Sequence, residues 1–315
     1  MKAGINPTLF LPPFVQSFAA TLLAVGLLFA PGITTFEEAP APERLVIAFQ
    51  KQKDPRKIQE TADSLAAILT KDIGIPVEVY VPATYTASVQ ALASGKAHFA
   101  YMSAIPYLLA RQEAPVWIAL AEVRGNRTDY DSVFVVRKDS PYQTLADLKG
   151  ARMMFTSATS TSGYVMAYSR LVDEKLLEKR AAPTTFFSEA NFAGGYDRAL
   201  LAVHRGQADV CAVSYYTVEG EKADVYSTPQ MREELRVLTR TPGTPTHLIC
   251  QRKDLPISVR EAFKASILRI AKEQPALLSD VYGAATFKEV DEKEHLKGAE
   301  AALENTGLGL AGLVE

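Results

Sequence analysis

Cysteine and tryptophan are scarce in this sequence, which contains two cysteines and one tryptophan in 315 residues. Two cysteines cannot build the disulfide framework that holds a small secreted domain together, so the fold must depend on an ordinary apolar core. Cys211 and Cys250 lie in separate apolar stretches of the kind that form buried strands. We therefore predict two buried thiols, with a single disulfide between them as the alternative.

An excess of charge of either sign is also absent. Lysine and arginine total 34, aspartate and glutamate total 36, the net charge is −2, and 48% of the residues are hydrophobic. This composition is typical of a globular protein and excludes a disordered chain. A nucleic-acid-binding protein needs a basic excess or a basic stripe that neutralises phosphates, so no nucleic acid is expected as a partner.

The sequence lacks the residue clusters of a metal site. None of its four histidines belongs to an HExxH motif or a His/Cys cluster; they are His98, His204, His247 and His295. The GxxxxGK[ST] loop of nucleotide-binding proteins is missing as well. We predict no metal and no other cofactor.

The first 32 residues differ from the rest because Lys2 is their only charged side chain. Within them, Phe18–Ala30 is an uncharged run with the length of a signal-peptide apolar region, and it is short for a helix that crosses a bilayer. We predict that residues 1–32 are an export signal, with an uncleaved membrane anchor as the alternative. Residues 33–43 read as a polar, proline-containing tether.

Strand and helix patterns alternate from Leu45 onward, which predicts an α/β fold with parallel sheets and crossover helices. Predicted strands include 116–123, 152–155, 184–187 and 209–213. Two lobes are expected, joined by two crossing segments. Lobe 1 comprises 44–138 and 240–315, and lobe 2 comprises 139–239.

The most informative motif is TSATSTSGY, Thr156 to Tyr164, between a predicted strand and a predicted helix. Six of its first seven residues carry hydroxyl groups. Ligands of open α/β sheets bind beyond the carboxyl ends of the strands, and a helix N-terminus presents unpaired N–H groups to an anion. The motif therefore predicts an oxyanion site, with simple N-capping by Ser160 or Thr161 as the alternative.

At these residues the chain resembles the substrate-binding proteins of phosphonate, phosphite and phosphate ABC importers, a branch of the type II periplasmic binding proteins. The resemblance extends from Leu45 to about Glu273. Its matching segments are Pro82–Ala110, Thr144–Gly150, Ser160–Tyr164, Gly194–Val213 and Thr244–Pro256. It implies two lobes, each a sheet flanked by helices, that close on a ligand about a two-segment hinge.

The resemblance also implies which residues touch the ligand. Ser160, Thr161 and Ser162 would hold the oxyanion, and Tyr85 would close over it from the other lobe. A further aromatic contact is assigned to Tyr107, with Tyr101 as the reserve. Tyr196 stands where phosphonate binders commonly have histidine, and His247 stands where binders of aminoalkyl phosphonates have an acid, so an ammonium-bearing ligand is disfavoured.

The resemblance implies a periplasmic, monomeric, non-enzymatic protein that delivers a small oxyanion to an inner-membrane permease. Phosphite, a small alkylphosphonate, phosphate and an arsenic or sulfur oxyanion remain open as ligands. A periplasmic sensor that partners a membrane histidine kinase is the alternative function. An enzyme acting on phosphorus esters is disfavoured, because the sequence shows no activated nucleophile or paired carboxylates.

Overall fold

The computed structural model describes residues 40–49, 55–82, 84–220 and 223–313. The predicted export signal, residues 1–32, and tether residues 33–39 lie outside the described residues. Among the described residues, no helix is both long and apolar enough to span a membrane.

Strands and helices alternate along the chain. The strands are β1 Leu45–Phe49, β2 Val77–Tyr80, β3 Phe99–Met102, β4 Val116–Val123, β5 Asp129–Arg137, β6 Arg152–Phe155, β7 Glu189–Phe192, β8 Val210–Ser214, β9 Leu235–Pro245, β10 Leu248–Arg252 and β11 Thr286–Lys288. The helices are α1 Pro55–Ile73, α2 Tyr85–Ala93, α3 Ala104–Glu113, α4 Ala167–Asp173, α5 Tyr196–His204, α6 Pro229–Glu234, α7 Ile257–Glu273, α8 Pro275–Tyr282 and α9 Glu292–Thr306. A wider π-helical turn, Thr161–Met166, leads directly into α4.

The strands form a six-stranded sheet in the order β11-β4-β10-β3-β1-β2 and a five-stranded sheet in the order β7-β6-β8-β5-β9. The predicted α/β architecture of two sheets flanked by helices is confirmed. The expected parallel pairing is present between β1 and its neighbours β2 and β3, and between β6 and its neighbours β7 and β8. The sheets are nevertheless mixed, because β10 runs antiparallel to both β3 and β4, and β5 runs antiparallel to both β8 and β9. The antiparallel pairs arise where the chain crosses between the sheets and returns.

The strand predicted at 184–187 is also wrong. Pro183–Thr185 forms a short 3-10 turn, and the N–H groups of Phe186 and Phe187 both bond to the carbonyl of Pro183. The proline fixes the backbone for a turn, and the two phenylalanines are buried as core residues of that turn. The strand comes later, at β7, where mostly exposed side chains gave no apolar pattern.

Two short segments, 124–128 and 246–247, connect the two sheets. They are hydrogen-bonded to each other, because the N–H of Thr246 donates to the carbonyl of Thr128 at 3.0 Å. The five-stranded sheet includes β5 and all of β9, so its strands extend beyond the predicted 139–239 segment at both ends. The division into lobes stays a prediction.

Helix α9 packs beside the five-stranded sheet, although its residues were assigned to lobe 1. A Cβ atom added to Gly298 would lie 2.1 Å from the carbonyl oxygen of Gly243, so α9 lies directly against β9. Asn305 also donates to the carboxylate of Asp173 on α4 at 2.8 Å. At its other side, α9 pairs with α3 through Arg111, Glu292 and Glu300. The helix therefore contacts elements of both sheets.

The two cysteines are free and fully buried, Cys211 on β8 and Cys250 on β10. They belong to different sheets, so the prediction of two buried thiols holds and the disulfide alternative is wrong. Burial raises the pKa of both thiols, which keeps them in the unreactive protonated form.

We therefore expect native protein to react negligibly with a thiol-specific reagent at neutral pH, and two thiols to react after unfolding without reductant. Single Cys211→Ser and Cys250→Ser variants should each expose one thiol on unfolding. Rapid labelling of the native protein, or fewer than two thiols after unfolding, would contradict this placement.

Candidate functional site

The hydroxyl-rich loop follows β6 and ends at the turn Thr161–Met166. Ser160 is the N-cap residue of this turn, and its Oγ accepts a hydrogen bond from the N–H of Gly163 at 3.0 Å. The predicted capping role of Ser160 is confirmed, and it uses only the acceptor side of the hydroxyl. The hydroxyl hydrogen can still be donated to a ligand oxygen.

Gly163 allows this turn to approach the strand. A Cβ atom at this position would lie 2.2 Å from Oγ1 of Thr156 and 2.9 Å from Oγ of Ser160. Thr156 cannot move aside easily, because it is fully buried and its hydroxyl donates to the carbonyl of Ala212 at 3.0 Å. The glycine therefore sets the position of the loop hydroxyls.

Replacing Gly163 by alanine should lower the free energy of unfolding by about 1–3 kcal/mol, since the added methyl group overpacks a buried contact. Urea unfolding measures this change. The matched control is Gly309→Ala, because nothing lies within 4 Å of a Cβ atom added there. Equal stabilities of the two variants would show that the loop adapts freely.

Thr161 connects the loop to the six-stranded sheet. Its Oγ1 accepts a hydrogen bond from the N–H of Ile105, in the first turn of α3, at 3.0 Å. The N-terminal ends of α3 and of the turn Thr161–Met166 therefore face each other. As with Ser160, the hydroxyl oxygen of Thr161 is the acceptor, and its hydrogen can be donated to a ligand.

Ser162 belongs to a group of three hydroxyls, which we call the hydroxyl triangle: Ser162, Tyr196 and Ser214. The Oγ of Ser162 lies 2.8 Å from the hydroxyl of Tyr196 and 2.7 Å from Oγ of Ser214. Ser214 donates to the hydroxyl of Tyr196 at 3.0 Å, which closes the triangle. Ser132 fixes the backbone by donating to the carbonyl of Ser162 at 2.7 Å. Two predicted residues, Ser162 and Tyr196, are thus in direct contact.

Tyr85 is half-buried at the start of α2, whose N-cap residue is Thr84. Burial raises the pKa of Tyr85 well above its ordinary value, and the neighbouring phenols of Tyr196 and Tyr226 raise it further. Tyr85 therefore lies near Tyr196 of the hydroxyl triangle, and it stays neutral at physiological pH.

Tyr107, predicted to contact the ligand, is fully buried in the core. Burial raises its pKa, and the nearby Cys250 and Glu292 add to the rise. Its ring therefore lies near Cys250 on β10 and Glu292 on α9, and its contact with the ligand stays a prediction.

His247 lies where the chain crosses between the sheets. Its ring stacks on Tyr101, with centroids 5.2 Å apart, and on Tyr130, with centroids 6.3 Å apart. The hydroxyl of Tyr101, the reserve residue, lies 2.9 Å from Oε2 of Glu122 and 2.8 Å from the carbonyl oxygen of Tyr282, so its one hydrogen is shared between these two acceptors. Tyr130 lies 3.5 Å from Oγ of Ser162 and so joins His247 to the hydroxyl triangle.

A buried ion pair that we did not predict lies beside His247. Glu122 is fully buried and pairs with Arg124, and its Oε2 lies 3.4 Å from Nδ1 of His247. Burial alone would raise the pKa of Glu122, but Arg124 and His247 hold it below the ordinary value. The guanidinium of Arg124 also lies 4.3 Å from the ring centroid of Tyr216.

Sequence reasoning missed this pair, although a signal was present. Glu122 and Arg124 are two residues apart at the end of an otherwise apolar strand, so they point to the same side. Ser214 carried a similar signal as a polar residue that ends a buried strand.

The groups that can attract an anion at this site are neutral hydroxyl donors and helix N-termini. Helices α2, α3 and α5 and the turn Thr161–Met166 all begin just after strands. The first turn of α3 bonds Thr161 through the N–H of Ile105, and the first residue of α5, Tyr196, belongs to the hydroxyl triangle. Each helix N-terminus carries a partial positive charge of roughly half a unit. Such a site can attract an anion although the protein as a whole is slightly acidic.

Comparisons with known proteins place the chain in a family. A profile described as ABC transporter, phosphonate, periplasmic substrate-binding protein matches residues 47–296. The phosphate-import protein PhnD of Mycolicibacterium smegmatis is 25% identical over 173 residues, which is 53% of this chain and about half, 54%, of the relative. The probable ABC transporter phosphite binding protein PhnD1 of Prochlorococcus marinus is 24% identical over 259 residues, 76% of this chain and 84% of the relative.

A solved structure shows the same fold. PhnD1 from Prochlorococcus marinus, in complex with methylphosphonate, superimposes with a TM-score of 0.72 at 19% identity, covering 84% of this chain and 98% of that one. The predicted architecture and the predicted family are both confirmed. The chain belongs to the family of periplasmic substrate-binding proteins of phosphonate ABC transporters.

Proposed function

We propose that this protein captures a small phosphorus oxyanion between its two sheets and delivers it to a membrane permease. Ser160 and Thr161 donate to the oxyanion, the first turns of the helices add backbone N–H groups, and Tyr85 closes over it. The observation that carries this proposal is the orientation of two hydroxyls. Ser160 and Thr161 each accept one hydrogen bond from a backbone N–H group and keep the hydroxyl hydrogen, so each can donate to an acceptor ligand.

The family and the relatives support a phosphorus ligand. Relatives are described as phosphate-import and phosphite-binding proteins, and the PhnD1 structure holds methylphosphonate. We propose the same ligand class for this chain: phosphite, a small alkylphosphonate or phosphate. In this proposal His247 contributes to ligand binding by stacking on Tyr130, which positions the Tyr130 hydroxyl beside the hydroxyl triangle.

Binding without catalysis is part of the proposal. A serine or threonine nucleophile needs an adjacent general base. In the described part of the chain, the hydrogen-bond partners of Ser160 and Thr161 are backbone N–H groups, and those of the Ser162 hydroxyl are other hydroxyls. Among the described residues, no imidazole or carboxylate is hydrogen-bonded to these three hydroxyls.

Calorimetric titration of the purified protein with phosphite, methylphosphonate and phosphate tests the proposal. We expect saturable binding of at least one of them, with a stoichiometry of one. A flat response to all three would overturn it. Periplasmic location, a monomeric state and a permease partner complete the proposal, and size-exclusion chromatography with light scattering checks the monomer.

A further inference from the structure

The hydroxyl triangle places three hydroxyls in mutual contact. The three oxygen–oxygen distances are 2.8, 2.7 and 3.0 Å, all within hydrogen-bond range. Ser162 and Ser214 are fully buried, so bulk water does not compete for their protons.

Counting protons shows what this group can offer to a ligand. Three hydroxyls carry three hydrogens, and three short contacts require three hydrogens. When Ser214 donates to Tyr196, Tyr196 donates to Ser162 and Ser162 donates to Ser214, every hydrogen is used. Each hydroxyl oxygen has two lone pairs, and the ring uses one of them. Tyr130 already donates to the second lone pair of Ser162 at 3.5 Å, so the acceptor left for a ligand is the hydroxyl of Tyr196 or of Ser214. The triangle can therefore accept a further hydrogen bond, but it cannot donate one without breaking.

Ser160 and Thr161 differ from the triangle, because their hydroxyl hydrogens are not used within the described part of the chain. Ser160 and Thr161 accept bonds from backbone N–H groups and keep their hydrogens for donation. The site thus combines donors at Ser160 and Thr161 with acceptors at the triangle. A fully ionised oxyanion has only acceptor atoms, so it would meet the triangle with no hydrogen between two oxygens. A ligand that still carries one P–OH group matches both sides.

The surrounding charges agree with a ligand of charge −1. Among the described residues, the charged side chains that act on the phenols around the triangle are Glu122, Arg124 and Asp197, and His247 stacks on Tyr130. The Glu122–Arg124 charges cancel as an ion pair. The phenols that face the triangle are Tyr85, Tyr130, Tyr216 and Tyr226, and burial raises the pKa of each, so they stay neutral. No unpaired cation among these groups compensates a second negative charge.

We propose that the site selects the monoanionic form of its phosphorus oxyanion, with the hydroxyl triangle accepting a hydrogen bond from the ligand's P–OH group. This inference rests on the proposed function and states which protonation form that site recognises.

Two ligands of equal shape test it directly. At about pH 5, below the second pKa of roughly 6 that is typical of phosphoryl groups, methylphosphonate is a monoanion with one hydroxyl. Methanesulfonate is a monoanion without one. Calorimetry should show methanesulfonate binding at least about tenfold more weakly, because the triangle's acceptor would be left unpaired. Equal affinities would overturn the inference.

The pH dependence gives a second test. If only the monoanion binds, the affinity for methylphosphonate should fall about tenfold for each pH unit above the ligand's second pKa. With trifluoromethylphosphonate, whose fluorines lower that pKa, the fall should begin at lower pH. Histidine side chains titrate in the same range, so the His247→Gln variant is measured as well. A midpoint that is the same for both ligands, or that disappears in this variant, would overturn the inference.

The variant Ser214→Ala tests whether the hydroxyl triangle selects the monoanionic ligand or only stabilises the fold around the site. Removing this hydroxyl leaves Ser162 and Tyr196 with two hydrogens for one contact, so one hydrogen becomes available to a dianion. We expect the preference for methylphosphonate over methanesulfonate to shrink and the pH dependence to flatten. A loss of affinity that is equal for both ligands would overturn the inference. The matched control is Ser140→Ala, whose hydroxyl bonds a backbone carbonyl away from the site at 2.7 Å.

Failure of this inference differs from failure of the proposed function. If methylphosphonate binds with saturation, but equally well or better at high pH, only the monoanion selection is wrong. If none of methylphosphonate, phosphite and phosphate binds at any pH, the proposed function itself is wrong.

Discussion

The double variant Ser160→Ala, Thr161→Val is expected to bind methylphosphonate about a hundredfold to ten-thousandfold more weakly than the unmodified protein. Each substitution removes a hydroxyl that donates to a charged oxygen, and such a bond contributes about 1.5–3 kcal/mol. A change of 1.4 kcal/mol corresponds to a factor of ten in affinity. Isothermal calorimetry measures the effect.

Controls separate this loss from general damage. Thr161→Ser keeps the hydroxyl and should retain most of the affinity. Ser140→Ala with Thr185→Val removes the same two groups at sites where they bond backbone carbonyls in turns. Unchanged affinity in the double variant of the loop would remove Ser160 and Thr161 from the binding site.

The variant Glu122→Gln is expected to lower the free energy of unfolding by about 3–5 kcal/mol, because it leaves the charge of Arg124 buried without its partner. Replacing both residues, as Glu122→Leu with Arg124→Met, should recover much of this loss, since neither charge then remains. Urea unfolding at neutral pH measures all three proteins. A matched surface control is Glu78→Gln, which breaks the exposed pair with Arg44 and should change stability by less than about 1 kcal/mol.

The same pair predicts a dependence on pH. The pKa of Glu122 is lower in the folded protein than its ordinary value, so the folded state favours the ionised carboxylate. The resulting stabilisation is fully present above the ordinary pKa and is lost as the pH falls through the lower folded-state pKa. We expect the unmodified protein to lose more stability than Glu122→Gln on acidification below about pH 4.3, the ordinary glutamate pKa. Parallel losses in both proteins would contradict the assignment.

Elements with strong local patterns could be predicted from the sequence. The predicted strands 116–123 and 152–155 correspond to β4 and β6 with the same bounds. The segment 184–187 misled because two threonines and two phenylalanines favour a strand, whereas Pro183 starts a turn that buries both rings. Tertiary packing overrode local propensity there. The position of α9 depends on the close contact of Gly298 with β9. Because this contact joins residues far apart in the sequence, no local pattern could predict it.

In the candidate site, too, residues close together in the sequence could be predicted, and contacts between distant residues could not. The hydroxyl pattern of Ser160, Thr161 and Ser162 is local, so the sequence could point to it. The group around His247 is not local: antiparallel pairing of β4 with β10 brings Glu122 to a residue more than a hundred positions away. For the same reason the contact of Ser162 with Ser214 could not be predicted, since it needs β8 to end beside the turn that follows β6.

The central claim is that an oxyanion is held by neutral hydroxyls and helix N-termini rather than by a paired or free cation. A crystal structure of the protein grown with methylphosphonate tests it most directly. The account predicts phosphonate oxygens about 2.5–2.7 Å from Oγ of Ser160 and from Oγ1 of Thr161, with Tyr85 over the ligand. A phosphonate bound instead to the guanidinium of Arg124, with Ser160 and Thr161 out of contact, would contradict it.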